Sequence, residues 1–148
     1  MNESTHASFA SDLKFGPGLE FTEEMYKQDR SLKTMGITIT AVERGRTEGT
    51  MTITPEMCNG HNTIQGGFLF TFADALFAGA CNSSAGTTTV ASQVGIHFIS
   101  PGFVGDVLQG VAIERETWGR NGITDVTIFR DDEVIAEFRG TSRTIGKP

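Results

Sequence analysis

The run from Gly66 to Cys81 is the feature that most constrains the fold, because all but a few of its side chains are apolar or small and only Asp74 is charged. The run is shorter than the roughly 20 apolar residues that a membrane-spanning helix needs. A helix that is apolar on every side must be buried on every side, and in a small domain other elements have to wrap around it. The run therefore predicts a central, enclosed helix and no membrane span.

The segments on either side of this helix alternate apolar and polar residues with the period of a β-strand. Before the helix, residues 37–42 and 50–53 predict a hairpin with its turn at 43–46. After it, four strands are predicted at residues 87–98, 106–118, 123–130 and 133–144, separated by Pro101-Gly102, Asn121-Gly122 and Asp131-Asp132. Their short connections favour antiparallel pairing, because a parallel crossover takes about a dozen residues or more. The expected class is α+β, with one long apolar helix wrapped by a curved antiparallel sheet.

The chain of 148 residues has the length of one domain. Residues 1–21 are polar and punctuated by Gly and Pro, and we interpret them as an N-terminal arm whose order is open. The single folded domain is expected over 22–148. At its start, Thr22 is predicted to cap a short helix that ends near Gly36.

The charge balance bears on the partners to be expected. Twelve Lys and Arg residues against eighteen Asp and Glu give a net charge of −6, which is the wrong sign for coating nucleic acid or an anionic membrane. We expect neither partner, and an anionic ligand would need a local basic patch. The first twenty residues lack the basic start and apolar core of a secretory signal, so a cytoplasmic location is expected.

Several kinds of site have no support in the sequence. Cys58 and Cys81 lack CxxC spacing and are expected to be reduced thiols. The three histidines show no metal-ligand spacing, and glycine-rich phosphate loops are absent, so we predict no metal and no cofactor. A Cys58–His61 nucleophile pair is conceivable, but no third group is evident to orient it.

Asp74 is the first candidate for chemistry. It lies in the middle of the apolar helix, and no Lys, Arg or His stands three or four positions away to pair with it. Burying an unpaired carboxylate is costly, so either its face opens on a polar cleft or a partner comes from elsewhere. The structural alternative is a side chain at the rim of the sheet that bonds Thr71 or water.

Gly66 and Gly67, at the start of the helix, are the second candidates. The first N–H groups of a helix are unpaired donors at its positive end, and glycine lets a ligand approach them closely, which would suit an oxyanion hole. The alternative is that the glycines only permit a tight junction between loop and helix. Asn59 and Gln65 flank this place with amides that could hold a carbonyl or a water, although amides on loops are usually solvated.

The string from Asn59 to Gly67, with Asp74 seven residues further on, resembles the signature of the hotdog-fold acyl-CoA thioesterases, and in particular the phenylacetyl-CoA thioesterase group. The likeness extends over about residues 22 to 146. Further similar segments are Ala78–Ser83, Val90–Ser92, Phe98–Gly102 with Gly105-Asp106, and Phe138–Ser142. One departure is Gln65, which stands where the family usually has His; an amide can orient a group but cannot titrate near neutral pH.

The resemblance implies a hotdog subunit whose active site lies at a subunit interface, in a homodimer that pairs again into a tetramer. It implies that Asp74 is the catalytic carboxylate, that the Gly66 N–H polarises the thioester carbonyl, and that Asn59 positions the thioester or the water. Gly67 would line the substrate site, and Ser92 is a candidate for an assisting hydroxyl. The CoA phosphates need cations, for which Arg120 and Arg143 are the first choices in a pool that also holds Arg115, Arg139 and Lys147.

The function expected from the sequence is therefore hydrolysis of small or aromatic acyl-CoA esters, phenylacetyl-CoA and its ring-hydroxylated relatives first. Asp74 would act as general base or as nucleophile, and the residues leave that choice open. Two other classes stay open. A hotdog dehydratase or hydratase would want a His paired with an acid, for which only His97 lies on a predicted strand, and a non-catalytic acyl-CoA sensor would bind the ester without turnover.

Overall fold

The computed structural model describes residues 6–147. Two short helices, α1 (Glu20–Lys27) and α2 (Arg30–Met35), precede the hairpin of β1 (Ile37–Glu43) and β2 (Arg46–Thr52). A single 3-10 turn at Pro55–Met57 and a loop lead to the central helix α3 (Gly66–Ala85). The remaining strands are β3 (Thr89–Phe98), β4 (Val107–Trp118), β5 (Asn121–Arg130) and β6 (Glu133–Thr144).

The strands form one six-stranded sheet in the order β1-β2-β4-β5-β6-β3, with every neighbouring pair antiparallel. Helix α3 packs against all six strands. The core between them is apolar: Phe72, Leu76 and Phe77 from the helix are buried together with Leu108 and Ile128 from the sheet. The predicted α+β architecture, a long apolar helix held by one antiparallel sheet, is confirmed.

The pairing of the last four strands differs from simple hairpin order. β3 and β4 are joined by a short connection but do not pair, because β3 lies at the sheet edge beside β6 and β4 lies in the interior beside β2. The connection crosses the end of the sheet instead of turning back. Within this connection, the carbonyl of Gly102 accepts a hydrogen bond from the N–H of Ile64, at 2.9 Å. The connection is therefore attached to the loop that precedes α3.

The prediction of one capped helix between Thr22 and Gly36 was wrong at its start and in its middle. Helix α1 begins at Glu20, and Thr22 is buried inside it instead of capping it. The helix breaks before Asp29, whose side chain accepts the N–H of Ser31 and so caps α2. The predicted end was right, since Gly36 has the left-handed conformation that ends many helices (φ 67°).

The turn between β4 and β5 was also misplaced. Asn121 and Gly122 are the first residues of β5, and the turn is formed by Gly119 and Arg120. Gly119 has φ 55°, which favours glycine. Two glycines stand three residues apart in this segment, so the sequence pattern could not say which one turns.

One face of α3 is not covered by residues 6–147, which contradicts the prediction of a helix enclosed on every side. We call this face the open stripe; its residues are at least partly exposed and recur at helical spacing: Gly67, Phe70, Thr71, Asp74 and Ala78. Apolar residues on a helix indicate that its surface is buried, but they do not distinguish burial within one chain from burial against a second chain.

The described part of the N-terminal arm contacts the sheet. Phe9 forms a parallel bridge with Ile39, and Ile39 exchanges backbone hydrogen bonds with Ser8 and Ala10. Phe9, Leu13 and Phe15 pack against the core. Residues 1–5 of the predicted arm lie outside the described residues. Within 6–147, no helix is long and apolar enough to cross a membrane.

Candidate active site

A surface pocket of about 590 Å³ lies at the amino end of α3. One wall is the loop before the helix, and the other is the end of β3 with the connection that follows it. The pocket brings together four residues that the sequence analysis singled out, namely Asn59, Gln65, Gly66 and Gly67, with Phe98, Ile99, Ser100 and Pro101 on the other wall.

The loop before α3 is held by its own polar groups. The side-chain oxygen of Asn59 accepts the N–H of His61 at 2.9 Å and both the N–H and the hydroxyl of Thr63. Asn62 adopts a left-handed conformation (φ 62°), which Asn tolerates better than most residues. The N–H of Gln65 donates to the carbonyl of Met57 at 2.8 Å. These bonds fix the position at which the helix starts.

The first N–H groups of α3 have no acceptor in the described chain. Gln65 occupies the N-cap position, but its side chain makes no capping hydrogen bond, and the N–H groups of Gly66 and Gly67 find no backbone partner. They lie at the positive end of a twenty-residue helix, where an anion or a developing oxyanion is stabilised. The arrangement suits the polarisation of a carbonyl oxygen.

Phe98 explains why position 66 is glycine. A Cβ atom added there would lie 2.7 Å from Cζ of the Phe98 ring, closer than real contacts allow. The ring therefore lies against the backbone of Gly66, while Phe98 is still 56% exposed. At Gly67 an added Cβ would meet nothing within 4 Å.

The side-chain amides of Asn59 and Gln65 differ in how many hydrogen bonds they already make within the chain. The oxygen of Asn59 is taken up by the loop, so only its NH₂ group lacks a partner among the described residues and is available to a ligand. Gln65 is exposed, and its side chain makes no hydrogen bond in the described chain.

Asp74 is half-buried on the open stripe, and within residues 6–147 no hydrogen bond or ion pair reaches its carboxylate. Thr71, the partner considered from sequence, donates to the carbonyl of Gly67 instead. Burial raises the pKa of Asp74 above its ordinary value, and the nearby charge of Asp29 raises it further. A carboxylate with a raised pKa is a stronger base than a solvated one.

Asp74 does not line the pocket at Gly66. The two residues are eight positions apart on one helix, so their backbones are separated by about 12 Å along its axis. A reacting carbon should lie about 3 Å from both its oxyanion donor and its attacking group. Within one chain, therefore, the N–H of Gly66 and the carboxylate of Asp74 do not reach the same reacting carbon.

The other substrate candidates lie elsewhere on the sheet. Ser92 is at a bulge of β3, where its hydroxyl donates to the carbonyl of Thr141 at 3.1 Å. Arg120 lines a second cavity, of about 360 Å³, at the carboxyl end of α3. Arg143 pairs with Asn121 and Val90 in the sheet, at that same end. None of the three lines the pocket at Gly66.

The described residues offer little support for a metal site or a reactive cysteine. No group of three or more His, Cys, Asp or Glu side chains among residues 6–147 could hold a metal ion. Cys58 and Cys81 are unbridged, and burial raises the pKa of the Cys81 thiol to about 12. Arg115 and Arg139 both bind Asp125, so they are less available to a phosphate than Arg120 and Arg143.

The family model of the thioesterase superfamily matches residues 61–137, which hold the helix, the open stripe and most of the pocket. The chain belongs to the thioesterase superfamily. It is 42% identical over 123 residues to the acyl-coenzyme A thioesterase PaaI of Escherichia coli strain K12, with 82% of this chain and 87% of that protein covered.

Solved structures of other proteins share the fold. The E. coli PaaI protein from the phenylacetic acid degradation operon superimposes with a TM-score of 0.83 at 40% identity, covering 87% of this chain and 94% of that one. The smu.793 protein of Streptococcus mutans UA159, solved with acetyl-CoA, gives a TM-score of 0.72 at 22% identity, covering 75% and 90%. The hotdog fold and the family resemblance expected from the sequence are confirmed.

Two residues that shape the site, Phe98 and Tyr26, were not predicted from the sequence. Phe98 lies against Gly66, although 32 positions separate them, and no local pattern reports such a contact. Tyr26 reaches α3 from α1, where its hydroxyl donates to the carbonyl of Ala75 at 2.6 Å. A single tyrosine in a chain rich in phenylalanine was the only available signal, because a buried Tyr needs a partner for its hydroxyl.

Proposed function

We propose that the protein hydrolyses acyl-CoA thioesters to the free acid and CoA. The observation that carries the proposal is the pair of half-sites on α3: unpartnered N–H groups of Gly66 and Gly67 facing a pocket, and the unpaired, half-buried carboxylate of Asp74 on the open stripe. The similarity to E. coli PaaI, an acyl-CoA thioesterase, supports the same reaction.

In this proposal the thioester carbonyl oxygen accepts a hydrogen bond from the Gly66 N–H, which stabilises the oxyanion as the carbonyl carbon becomes tetrahedral. Asp74 either takes a proton from the attacking water or attacks the carbon itself to form an anhydride that water then hydrolyses. The C–S bond breaks, and the thiolate of CoA leaves and takes up a proton. The Asn59 NH₂ group and the Gln65 amide orient the ester or the water.

The acyl group is proposed to be small or aromatic, with phenylacetyl-CoA and its ring-hydroxylated relatives first. The name of the E. coli relative's operon supports this choice. Exposed Phe98 and Ile99 on the pocket wall and Phe70 on the open stripe offer apolar surface to an aromatic ring. Thiol release from a panel of acyl-CoA esters measures the preference, and no release from any ester would overturn the proposal.

The complete site is proposed to form in a homodimer. Edge strand β3 has no neighbour on its outer side among the described residues, and it exposes the apolar side chains of Val90 and Phe98. A two-fold axis there would lay two α3 helices antiparallel, with Gly66 and Asn59 of one chain opposite Asp74 of its partner, and two such sites per dimer. We propose that two dimers pair again into a tetramer.

The same geometry gives the arginines a role. Arg120 and Arg143 lie at the carboxyl end of α3, so within one chain they are remote from Gly66. Antiparallel α3 helices would bring them toward the partner's pocket, where they could hold CoA phosphates. Ser92, on the interface strand β3, would lie near the substrate by the same operation. The reaction is proposed to take place in the cytoplasm, with which the two unbridged cysteines agree.

Refolding a mixture of two inactive variants tests the shared site. Asp74→Ala and Gly66→Val subunits, unfolded and refolded together, form mixed dimers in which one site has both native halves. With random pairing, half the dimers are mixed and half of their sites are intact, so about a quarter of wild-type activity should return.

The control is each variant refolded alone, which should stay inactive. Mixed dimers identified by mass but without turnover would contradict the shared site and place both halves within one chain. An active Asp74→Ala homodimer would contradict the role of Asp74 itself.

A further inference from the structure

The second cavity, of about 360 Å³, lies at the carboxyl end of α3. It opens between the last turns of the helix and the neighbouring ends of β4, β5 and β6. Neither Gly66 nor Asp74 lines it, so it is separate from both halves of the proposed active site. The lining includes Cys81, Ser84, Ala85, Glu114, Arg120 and Ser142.

Backbone hydrogen bonds fix the mouth of this cavity. The N–H of Thr144 donates to the carbonyl of Arg120 at 2.7 Å, which joins the turn between β4 and β5 to β6. The N–H groups of Ile145 and Gly146 both donate to the carbonyl of Thr88, at 2.9 Å and 3.0 Å. The folded chain therefore forms the cavity before a ligand binds, as is usual for small-molecule sites.

Ser142 offers the cavity a hydroxyl that the fold leaves without a partner. The residue is 2% exposed and faces inward from β6, and its hydroxyl makes no hydrogen bond to any other residue between 6 and 147. A buried hydroxyl without a partner is costly, so folds normally satisfy it. The Ser142 hydroxyl therefore points to a ligand that completes its hydrogen bonding.

The carboxylate of Glu114 lies near this hydroxyl. A Cβ atom added at Gly122, which pairs with Ser142, would lie 2.9 Å from the Ser142 oxygen and 3.3 Å from Oε2 of Glu114. Because β5 carries no side chain at this position, the two oxygens border one common space. Burial raises the pKa of Glu114, and no Lys or Arg of the described chain forms an ion pair with it.

The charges in the lining favour a cationic ligand over an anionic one. Glu114 brings a carboxylate into the cavity, while Arg120 is exposed at its mouth. The Cys81 thiol is neutral at physiological pH, since burial raises its pKa to about 12. A metal ion is not supported, because no group of three or more ligating side chains occurs among residues 6–147. The remaining class is an organic cation that is held by hydrogen bonds.

We propose that this cavity binds a small primary amine in its ammonium form, with the Glu114 carboxylate and the Ser142 hydroxyl as acceptors. A primary ammonium group has three N–H donors, of which two bind these oxygens and the third stays in water at the mouth. The short alkyl part lies against Ala85 and the side chain of Cys81. Side chains of β4 and β6 hold the ligand, so the backbone groups at this end of α3 keep their own partners.

Binding of n-propylammonium, followed through the backbone amides by ¹H–¹⁵N NMR at constant ionic strength, tests the site. We expect saturable shifts at residues 84–89 and 142–146, and none at Gly66 and Gly67 at the other end of α3. Two probes separate charge from hydrogen bonding: 1-propanol lacks the charge, and tetramethylammonium lacks N–H donors. Both should bind about 10-fold more weakly or worse, because charge-assisted hydrogen bonds are the stronger ones.

Glu114→Gln is the decisive variant, because it keeps the shape of the side chain and removes its charge. We expect the Kd of n-propylammonium to rise about 10- to 100-fold. Glu116→Gln is the matched control, since it removes the same charge from an exposed position of the same strand, and it should leave the Kd unchanged. Ser142→Ala should raise the Kd by a smaller factor, about 2- to 10-fold.

Equal Kd values in Glu114→Gln and Glu116→Gln would overturn the inference. Larger shifts at the cavity with propionate or adenosine 3′,5′-bisphosphate than with n-propylammonium would also overturn it, because they would assign the cavity to an anion. If Glu114→Gln does not fold, Ser142→Ala and the tetramethylammonium comparison decide the question. The titration involves no thioester, so a protein that releases no thiol but binds n-propylammonium would refute the proposed function and keep the inference.

Discussion

The two ends of α3 differ in whether their backbone groups have hydrogen-bond partners. At the carboxyl end, the side chain of Asn82 is 2% exposed, donates to the carbonyls of Ala78 and Thr89, and accepts the N–H of Thr89 at 2.9 Å. Gly86 closes that end in the left-handed conformation. At the amino end, the N–H groups of Gly66 and Gly67 have no acceptor in the described chain.

The difference shows where this helix is structural and where it is available to a ligand. A buried polar group without a partner costs stability, so a fold normally satisfies its helix ends. Here the carboxyl end is satisfied to tie α3 to β3, while the amino end faces a pocket. Asp74 lies between the two ends on the open stripe. Its carboxylate has no hydrogen-bond partner in the described chain, and in this it resembles the amino end and not the carboxyl end.

The largest effect is expected from Asp74→Asn, which keeps the shape of the side chain and removes its charge. If the unsatisfied half of α3 is the reactive one, kcat should fall by about 10²–10⁴-fold, the usual contribution of a general base. Steady-state thiol release measures this loss. Near-normal turnover in a folded Asp74→Asn protein would refute the catalytic role.

The same variant should be more stable than the wild type at neutral pH. Because the pKa of Asp74 is raised in the folded state, the folded protein binds more protons than the unfolded chain above the ordinary value of 3.8, and stability falls as pH rises through that window. Asn is uncharged at every pH, so the variant does not lose stability in this way. The difference in Tm between the two proteins should be present at pH 7 and vanish below pH 3.8, where the Asp74 carboxyl is protonated and therefore uncharged like Asn.

Gly66→Ala tests how closely the amino end is built. The added Cβ has to displace the Phe98 ring, which lies 2.7 Å away, and the ring borders the N–H groups that hold the carbonyl. We expect kcat/KM to fall by about 10–100-fold, since misplacement by about 1 Å costs this much. Gly67→Ala is the steric control, because nothing lies within 4 Å of its Cβ. Equal kcat/KM values for the two variants would show that the Phe98 contact does not position the site.

Asn82→Ala tests the satisfied end. It leaves the buried N–H and carbonyl of Thr89 without their partner, so the free energy of unfolding should fall by about 2–6 kcal/mol, at about 1–3 kcal/mol for each of the two orphaned groups. kcat measured well below the unfolding transition should not change. Urea denaturation gives the loss, with exposed Thr88→Ala as the control. A loss of kcat at unchanged stability would reverse the assignment of the two ends.

Gln65→His is expected to have the smallest effect. The Gln65 side chain is exposed and makes no hydrogen bond, so its replacement should change stability by less than about 0.5 kcal/mol. Activity should be retained, with at most a new titration in the pH profile, because His can take up a proton where Gln cannot. Complete inactivation would mean that Gln65 has a role of its own.

The parts of the molecule that depend on local sequence were predictable. The long apolar run required a core helix, alternation gave the strands, and the isolated charge of Asp74 singled it out. The parts set by distant contacts were not. The pairing of β3 with β6, the ring of Phe98 against Gly66 and the anchor through Tyr26 join residues 32 or more positions apart.

The open stripe escaped prediction for a different reason. Apolar residues on α3 indicate that a surface must be covered, and the sequence of one chain does not tell an intramolecular cover from an intermolecular one. The break at Asp29 was missed because a capping residue inside a helical pattern looks the same as a polar surface position.

The position of β3 at the sheet edge has a consequence for the order of folding. Among residues 6–147, β3 pairs only with β6, so its residues must wait for partners far along the chain: Thr89 pairs with Thr144 and Phe98 with Ala136. During synthesis, the hairpin of β1 and β2 can close early, whereas β3 stays unpaired until β6 has been made. Long-range pairing of this kind slows folding and exposes an unpaired strand in the meantime. The wall that Phe98 gives to the pocket is thus among the last features of the subunit to form.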